Sequence, residues 1–177
     1  MLPLRGLIVT GLLGLVASSC SQAGVVLGQK PVDLTVPNGI EVGFNHRAVS
    51  RYRSPLSGAW RNGDNLEQML INAIQSAEKE ILVAVQELSL PRIAESLVAA
   101  SRRGVNVKVI LENNYSTPWS QQHELDLSRH GRKRLQRLKV EADQDQNGVV
   151  SPEEERKSDA LLILQNGQIA WIDDTED

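Results

Sequence analysis

The hydrophobic positions of the chain fall into segments with helical or extended spacing. Alternation at 40–44 predicts a first strand, and the continuous apolar run at 81–85 predicts an interior strand covered on both faces. Apolar residues at 105, 107 and 109–111 predict a third strand. Apolar residues recur every three or four positions over 66–77 and 93–98, which predicts two helices with one buried face each. This alternation is typical of an α/β fold with right-handed crossovers and a parallel sheet between helix layers.

Local signals predict where these elements begin and end. Asp64, with Glu67 three residues later, predicts a capping box at the first helix. Pro91 predicts the start of the second helix and Gly104 its end. The segment at 45–63, which carries four arginines, is expected to be a long basic loop.

An irregular polar segment interrupts the alternation after residue 111. A helix is expected from about 124 to 142, then a loop at 143–154, then a helix from Pro152 to Gly167 and a fourth strand at 169–172. The sequence therefore predicts an α/β fold in which helices flank a parallel or mixed sheet, with an inserted helix–calcium loop–helix.

The loop at 143–154 has the spacing of an EF-hand calcium loop. Oxygen-bearing side chains occupy positions 1, 3, 5, 9 and 12, with glycine at position 6 and an aliphatic residue at position 8. Ca²⁺ takes about six to eight oxygen ligands, and this spacing supplies them on a sharp turn. The predicted Ca²⁺ ligands are Asp143, Asp145, Asn147, Val149, Ser151 and Glu154. Ser151 and Glu154 also form a helix capping box, and the two interpretations are compatible.

Composition and the N-terminal residues indicate an exported single domain. The chain has 177 residues, a net charge of −3, 41% hydrophobic residues and 3% aromatic residues, so the core is aliphatic and the charge does not by itself imply nucleic acid. Residues 1–19 have the pattern of a signal peptide, with cleavage before Cys20. Residues 20–38 are expected to be a flexible tether, and 39–177 the folded domain.

Two alternatives stay open for Cys20. It resembles the lipidated cysteine of a bacterial lipoprotein, or it is incidental to ordinary cleavage nearby. The expected location is a membrane-anchored lipoprotein or a periplasmic or extracellular protein. A single cysteine excludes an intramolecular disulfide.

Polar residues follow each predicted parallel strand, at the edge where α/β sheets bind ligands. The cleft candidates are Glu87, Glu112, Asn113, Asp173 and Asp174. Loops are solvated in any case, so strand ends are polar without a ligand as well. No catalytic residue is predicted, because the three histidines lack the context of a zinc or nucleophile site.

Six cations lie on the helix before the calcium loop, with no acid among them. They are Arg129, Arg132, Lys133, Arg134, Arg137 and Lys139. Such a run is typical of a solvated helix face, and it is also compatible with a surface that attracts phosphates of lipids or nucleic acid.

Several short motifs, in order, resemble the N-terminal half-domain of the phospholipase D-like superfamily. They are Gly63–Glu67, Ala84–Leu88, Arg103–Val107, Ile110–Ser116 and Ile172–Thr175. The resemblance covers about residues 40–177, and is closest to bacterial members with a calcium-loop insertion. It implies a phosphodiesterase that uses His-x-Lys-x4-Asp motifs, with histidine as nucleophile and acid and lysine against phosphate.

The chain contains no His-x-Lys, so no catalytic residue carries over from this resemblance. The resemblance therefore implies a calcium-binding, exported phospholipase D-like protein or fragment that is inactive alone. Its expected partners are a missing C-terminal half or a complementary phospholipase D-like chain, a membrane surface through lipidated Cys20, and a lipid or nucleic-acid phosphodiester substrate. The alternative is a non-catalytic EF-hand calcium-binding module anchored at the cell envelope.

Overall fold

A computed structural model describes residues 40–55 and 58–175 of the chain. These residues form a mixed α/β structure with two small sheets and flanking helices. The strands are β1 (Arg51–Arg53), β2 (Trp60–Asn62), β3 (Glu80–Val85), β4 (Asn106–Leu111) and β5 (Trp171–Asp173). The helices are α1 (Leu66–Ser76), α2 (Pro91–Arg102), α3 (Arg129–Ala142), α4 (Pro152–Ser158) and α5 (Ala160–Asn166). Short 3-10 turns occur at Asn113–Tyr115, Trp119–Gln121 and Glu124–Asp126.

The larger sheet has the order β3–β4–β5, and both of its strand pairs are parallel. Val85 lies beside Leu111, and Leu111 beside Asp173, so the three strands end at the same level. Each parallel pair is joined through helices, α2 between β3 and β4 and the longer α3–α5 stretch between β4 and β5. This confirms the predicted α/β class and the parallel pairing.

One face of this sheet carries the main core. Alternate residues of β4, Val109 and Leu111, are 3% and 1% exposed, while Leu97 of α2 and Leu164 of α5 are fully buried. The same cluster includes Ile71 and Ile74 of α1. Because side chains alternate across a strand, these contacts use only every second residue of each strand.

The other face of the sheet is open to solvent in the described part of the chain. Leu82, Ile110 and Ile172 lie on it and are 68%, 41% and 63% exposed. The expectation that the apolar run at 81–85 is covered on both faces is therefore wrong at Leu82 in the described part of the chain. Helices α1, α2 and α5 contribute side chains to the core on the opposite face.

The first helix begins one residue later than expected. Asn65, not Asp64, is its N-cap, and the Asn65 side chain accepts a hydrogen bond from the Gln68 N–H at 3.1 Å. The Asp64 carboxylate instead accepts from the Phe44 N–H at 3.0 Å and lies 3.7 Å from Arg47. The Ser50 side chain, then the Phe44 N–H and the Arg47 charge, hold the pKa of Asp64 below its ordinary value.

The N-terminal part of the described domain also differs from expectation. Residues 40–44 form no strand, because Gly43 lies against Met69 and Leu66 of α1 rather than beside a sheet edge. The expected basic loop instead contains the antiparallel pair β1–β2, in which Arg51 stacks over Trp60. A cation–π contact across two short strands stabilises pairing that hydrophobic alternation does not reveal.

The predicted helix from Pro152 to Gly167 is two helices that meet at Asp159. This residue ends α4 and is the N-cap of α5, with φ −86° and ψ 106°, so the backbone turns there. The helix expected over 124–142 likewise starts only at Arg129, after the N-cap Ser128. Ile169 is buried in the main core, and β5 begins two residues later.

The predicted signal peptide at 1–19, Cys20 and the tether at 20–38 lie outside the described residues, and the domain boundary at 39 stays a prediction. Among the helices that the structure describes, none has both the length and the apolar character needed to cross a bilayer.

Candidate functional site

The loop at 143–154 brings three carboxylates together. One carboxylate oxygen from each of Asp143, Asp145 and Glu154 lies within 4.8 Å of the others, and this is the cluster of potential metal ligands found in the described part of the chain. Gly148, at φ 84°, makes the sharp turn that the predicted pattern places there. The donor set consists of oxygens alone, which fits a hard cation such as Ca²⁺ rather than zinc.

Side chains of the loop also organise its backbone. The two oxygens of Asp143 accept from the N–H groups of Asn147 (3.1 Å) and Gly148 (2.8 Å), and Asn147 Oδ1 accepts from Val149 N–H at 2.8 Å. Asp145 Oδ1 accepts from Asn147 N–H at 3.1 Å. These bonds hold the side chains at odd positions toward the inside of the loop.

Hydrogen bonds of Glu154 connect the end of the loop to its beginning. Its Oε1 accepts from the N–H of Gln144 at 2.8 Å, and its Oε2 accepts from the N–H and Oγ of Ser151, both at 2.8 Å. Ser151 Oγ in turn accepts from the Glu154 N–H, which completes the predicted capping box. The hydrogen bond from the Ser151 N–H, together with those from the Ser151 hydroxyl and the Gln144 N–H, lowers the pKa of Glu154 to about 2. Burial of the residue by itself raises this pKa, but the hydrogen bonds outweigh burial, so the carboxylate stays ionised inside the loop.

A second, smaller core supports the loop. Leu135, Leu138 and Ala142 of α3 pack with Trp119, and Val150 of the loop packs against the same cluster. Position 8 of the loop therefore anchors it to α3, as the aliphatic residue there suggests.

The five cleft candidates lie at the carboxyl edge of the larger sheet. The backbone N–H of Asn113 donates to Asp174 Oδ1 at 2.9 Å, and the N–H of Asp174 donates to Leu111 O at 3.1 Å, so the ends of β4 and β5 are joined. The Asp173 carboxylate accepts from the Thr175 hydroxyl. Glu112 Oε2 is shielded from solvent and has no hydrogen-bond partner among the described residues.

Arg134 also contributes to this edge, although the sequence pattern did not predict it. Its Nε donates to Glu87 Oε1 at 2.9 Å, its guanidinium lies 5.0 Å from the centre of the Tyr115 ring, and its side chain is 10% exposed. It sits in the basic run, where nothing in the sequence distinguishes it from five neighbours. The pairing of an α3 residue with the end of β3 is decided by tertiary packing.

The basic run is therefore not a uniform surface. Besides Arg134, Lys139 pairs with Glu124 at 2.9 Å, and Arg132 donates to the Leu127 carbonyl. Half of the six cations are engaged within the chain, which weakens the interpretation of α3 as a phosphate-attracting face.

The parallel sheet, the polar residues at its strand ends and the inserted loop together make up a mixed α/β domain. The family model of the transcriptional regulator TrmB, EBD N-terminal subdomain, matches residues 59–171. The chain belongs to this family. No characterised protein and no solved structure matches it at a significant level.

This membership corrects the phospholipase D-like assignment. The family match covers 59–171, the same stretch that carried most of the resembling motifs, and it is a regulator family. The expected phospholipase D-like function, and its alternative as a calcium-binding module anchored at the envelope, are therefore wrong, as are the hydrolase and lipoprotein classes. The expected partners are wrong with them, namely a phospholipase D-like half or chain, a membrane surface through Cys20 and a phosphodiester substrate. Short motifs at strand ends are shared by many parallel α/β folds, which explains the error.

Proposed function

We propose that this chain is the effector-sensing part of a regulatory protein, and that it binds a small molecule at the carboxyl edge of the β3–β4–β5 sheet. Membership of the TrmB EBD N-terminal subdomain family carries this proposal. The matched residues run from just before β2 to the first residue of β5, so they include α1, α2 and the strands that form the edge. Ligands of open parallel sheets bind at this edge as a rule.

The chemistry of the edge favours an uncharged, hydroxyl-rich effector. Asp173 presents carboxylate oxygens, the Asn114 amide donates to Glu112 Oε1, and Glu112 Oε2 is a shielded acceptor with no hydrogen-bond partner among the described residues. The cation at this edge, Arg134, is already paired with Glu87. An anionic ligand would meet uncompensated carboxylates, whereas hydroxyl groups donate to them and accept from the amides.

Calorimetric titration of the purified chain with neutral sugars and polyols, and with their phosphorylated forms, tests this proposal. We expect a neutral compound to bind, and Asp173→Asn and Glu112→Gln to weaken its binding by about tenfold, since each removes a charge-assisted hydrogen bond. Asp126→Asn, an exposed acid in the turn before α3, is the matched control and should change nothing. Preferential binding of the phosphorylated forms would contradict the proposed chemistry, and binding that ignores both edge variants would contradict the proposed site.

Ca²⁺ is the proposed resident cofactor of the domain. The oxygen-only donor set and the three carboxylates within 4.8 Å support this, because such a cluster is electrostatically costly unless a cation compensates it. Asp143, Asp145, Asn147, Ser151 and Glu154 would contribute side-chain oxygens and Val149 its carbonyl. The ion would supply a structural link between α3 and α4, which flank the loop.

Calorimetry with CaCl₂ alone tests the cofactor. For a single loop of this kind we expect a dissociation constant of about 10⁻⁵–10⁻³ M, weaker binding of Mg²⁺, and a loss of at least about tenfold in Asp145→Asn. Asp126→Asn again serves as the control. The absence of heat at millimolar Ca²⁺ would overturn this part and would leave the effector proposal intact.

A further inference from the structure

The antiparallel pair β1–β2 lies in a segment that contains arginines but no acid. Residues 44–62 include four arginines and neither aspartate nor glutamate, although the net charge of the chain is −3. One of the four, Arg47, lies 3.7 Å from Asp64. The other three are Arg51, Arg53 and Arg61. None of these three forms an ion pair with an acid in the described part of the chain, so their charge is available to an anionic partner.

The register of the pair divides these three arginines between its two faces. Side chains of directly opposed residues point to the same face, and successive residues along a strand alternate. Arg53 lies opposite Trp60, and Arg51 lies on the same face of β1 as Arg53. Asn62, opposite Arg51, is the fourth side chain of this surface, which we call the arginine–tryptophan face. Arg61 points to the other face.

Trp60 gives this face an exposed aromatic ring. The residue is 65% exposed, and the guanidinium of Arg51 lies 5.4 Å from the ring centroid. A guanidinium at this distance is attracted to the face of the indole and keeps its own charge. Most of the ring stays in solvent, where a planar group of a partner can stack on it. Nucleic-acid bases stack on exposed aromatic rings of this kind, since every base has a π-face.

The two arginines of the face have the spacing of successive phosphates. Arg51 and Arg53 are two residues apart on one strand, so their Cα atoms are about 6.8 Å apart. This is comparable with the separation of neighbouring phosphates along an extended single strand. Arg53 Nε donates to the Gly58 carbonyl at 2.9 Å, which orients the side chain without neutralising it. The planar fork of arginine matches phosphate oxygens.

We propose that the arginine–tryptophan face binds single-stranded nucleic acid. One base stacks on Trp60, Arg51 and Arg53 contact the adjoining phosphates, and the amide of Asn62 donates to and accepts from a base edge. These contacts involve bases and phosphates and not the 2′ position of the sugar, so DNA and RNA both fit. The strand is bound and not cleaved, because none of the four side chains is a nucleophile or a general base.

Other anionic partners fit this face less well. An acidic peptide would pair with both arginines, but its carboxylate side chains offer no planar ring to the indole. A lipid surface would attract the arginines too, but insertion requires a larger apolar area than one ring supplies. The combination of a free aromatic ring with two unpaired guanidinium groups therefore favours a chain of bases and phosphates.

Fluorescence anisotropy of labelled oligo(dT) and oligo(U), each of about 12 nucleotides, tests the proposal with the full chain. We expect a dissociation constant of about 10⁻⁶–10⁻⁴ M and a slope of about −1.4 for log K against log salt, from two phosphate contacts. Arg51→Ala and Arg53→Ala should each halve this slope. Arg61→Ala removes the same charge from the opposite face and is the matched control. Binding of either oligonucleotide supports the proposal, and a difference between them identifies the preferred sugar.

Replacement of Trp60 tests base stacking. Trp60→Leu should weaken binding by about fivefold or more, whereas Trp60→Phe keeps an aromatic ring and should retain most of the affinity. Thermal unfolding followed by circular dichroism checks that each variant is folded. An equal loss in both variants would contradict stacking, and so would stronger binding of a duplex of the same length.

Competitors test the class of partner. Poly-glutamate of equal charge should displace the oligonucleotides poorly, since it pairs with the arginines alone. Equal displacement by poly-glutamate, or binding to phosphatidylglycerol vesicles without binding to either oligonucleotide, would overturn the proposal. Affinity that falls as much in Arg61→Ala as in Arg51→Ala would overturn the assigned face. None of these outcomes depends on effector binding at the edge of the larger sheet.

Discussion

The Asp159 carboxylate ties Ser120 to the start of α5. Its Oδ2 accepts from the Ser120 backbone N–H at 2.9 Å and from the Ser120 hydroxyl at 2.8 Å. Its Oδ1 accepts from the N–H groups of Leu161 and Leu162 at 3.1 and 3.3 Å. The residue is 1% exposed, so one buried carboxylate both caps a helix and fastens the segment that leads into α3.

Replacement of Asp159 by alanine should destabilise the domain strongly. The change removes an N-cap and leaves the partly buried Ser120 and α5 donors without a partner, and we expect a loss of about 3 kcal/mol in the free energy of unfolding. Asp159→Asn keeps one acceptor oxygen and should cost less. Urea denaturation measures both, and Ser120→Ala should cost about 1 kcal/mol. Equal stability of the alanine variant and the wild type would show that water replaces these bonds.

Close packing of α2 against the end of α5 should make Gly167 intolerant of a side chain. A Cβ at Gly167 would collide with the Cγ atoms of Val98, which is 6% exposed and stiff because it is β-branched. We expect Gly167→Ala to cost about 1–3 kcal/mol by overpacking. The φ of Gly167 is −81°, so backbone strain does not contribute.

A second replacement distinguishes collision from other causes. Val98→Ala removes the atoms that obstruct the new Cβ, so the double variant Gly167→Ala/Val98→Ala should be more stable than the sum of the single effects predicts. Thermal unfolding of the four proteins measures this coupling. Strict additivity would mean that the two residues do not compete for the same space.

The pair of Arg134 and Glu87 should be worth more than a surface ion pair. Both side chains are mostly shielded, and the arginine also lies over Tyr115. Arg134→Met should cost about 2 kcal/mol, because it leaves the Glu87 carboxylate without its partner. In the double variant with Glu87→Gln, part of this loss should be recovered. Lys157→Met, which breaks the exposed pair with Glu153, is the control and should cost less than about 1 kcal/mol.

Acid should destabilise the calcium loop through Glu154. Its pKa falls from an ordinary 4.5 to about 2 in the folded chain, so its contribution to stability is fully present above about pH 4.5 and is lost as the pH falls toward 2. The difference in the free energy of unfolding between wild type and Glu154→Gln should therefore shrink as the pH falls from about 4.5 to 2. Urea titrations between pH 2 and 7 with a chelator present measure it.

Glu153→Gln is the matched control for this pH dependence. The hydrogen bond from Lys157 lowers the pKa of Glu153 as well, but the side chain is 68% exposed and screened by solvent. The difference in the free energy of unfolding between Glu153→Gln and wild type should vary little with pH. A difference for Glu154→Gln that is constant from pH 2 to 7 would contradict the assigned cause.

Local chemistry made much of the domain predictable from the amino-acid sequence. The apolar runs of β3 and β4, Pro91 at the start of α2 and Gly104 after its end appear where their spacing and backbone preferences place them, with Gly104 at φ 91°. The turn at Gly148 and the capping box of Ser151 and Glu154 are equally local. Each depends on residues a few positions apart, so a pattern suffices.

Contacts between distant residues decided the rest. The Asp64 carboxylate accepts from Phe44 instead of capping α1. Asp159 lies between two helices, with one carboxylate oxygen bonded to Ser120 and the other to the start of α5. Arg134 pairs with Glu87, 47 positions away in the sequence. The exposure of one face of the β3–β4–β5 sheet is also decided by tertiary structure, since the apolar run of β3 indicates burial of both faces without indicating what covers each. The hydrophobic pattern shows which residues favour burial, whereas tertiary packing decides which surfaces cover them.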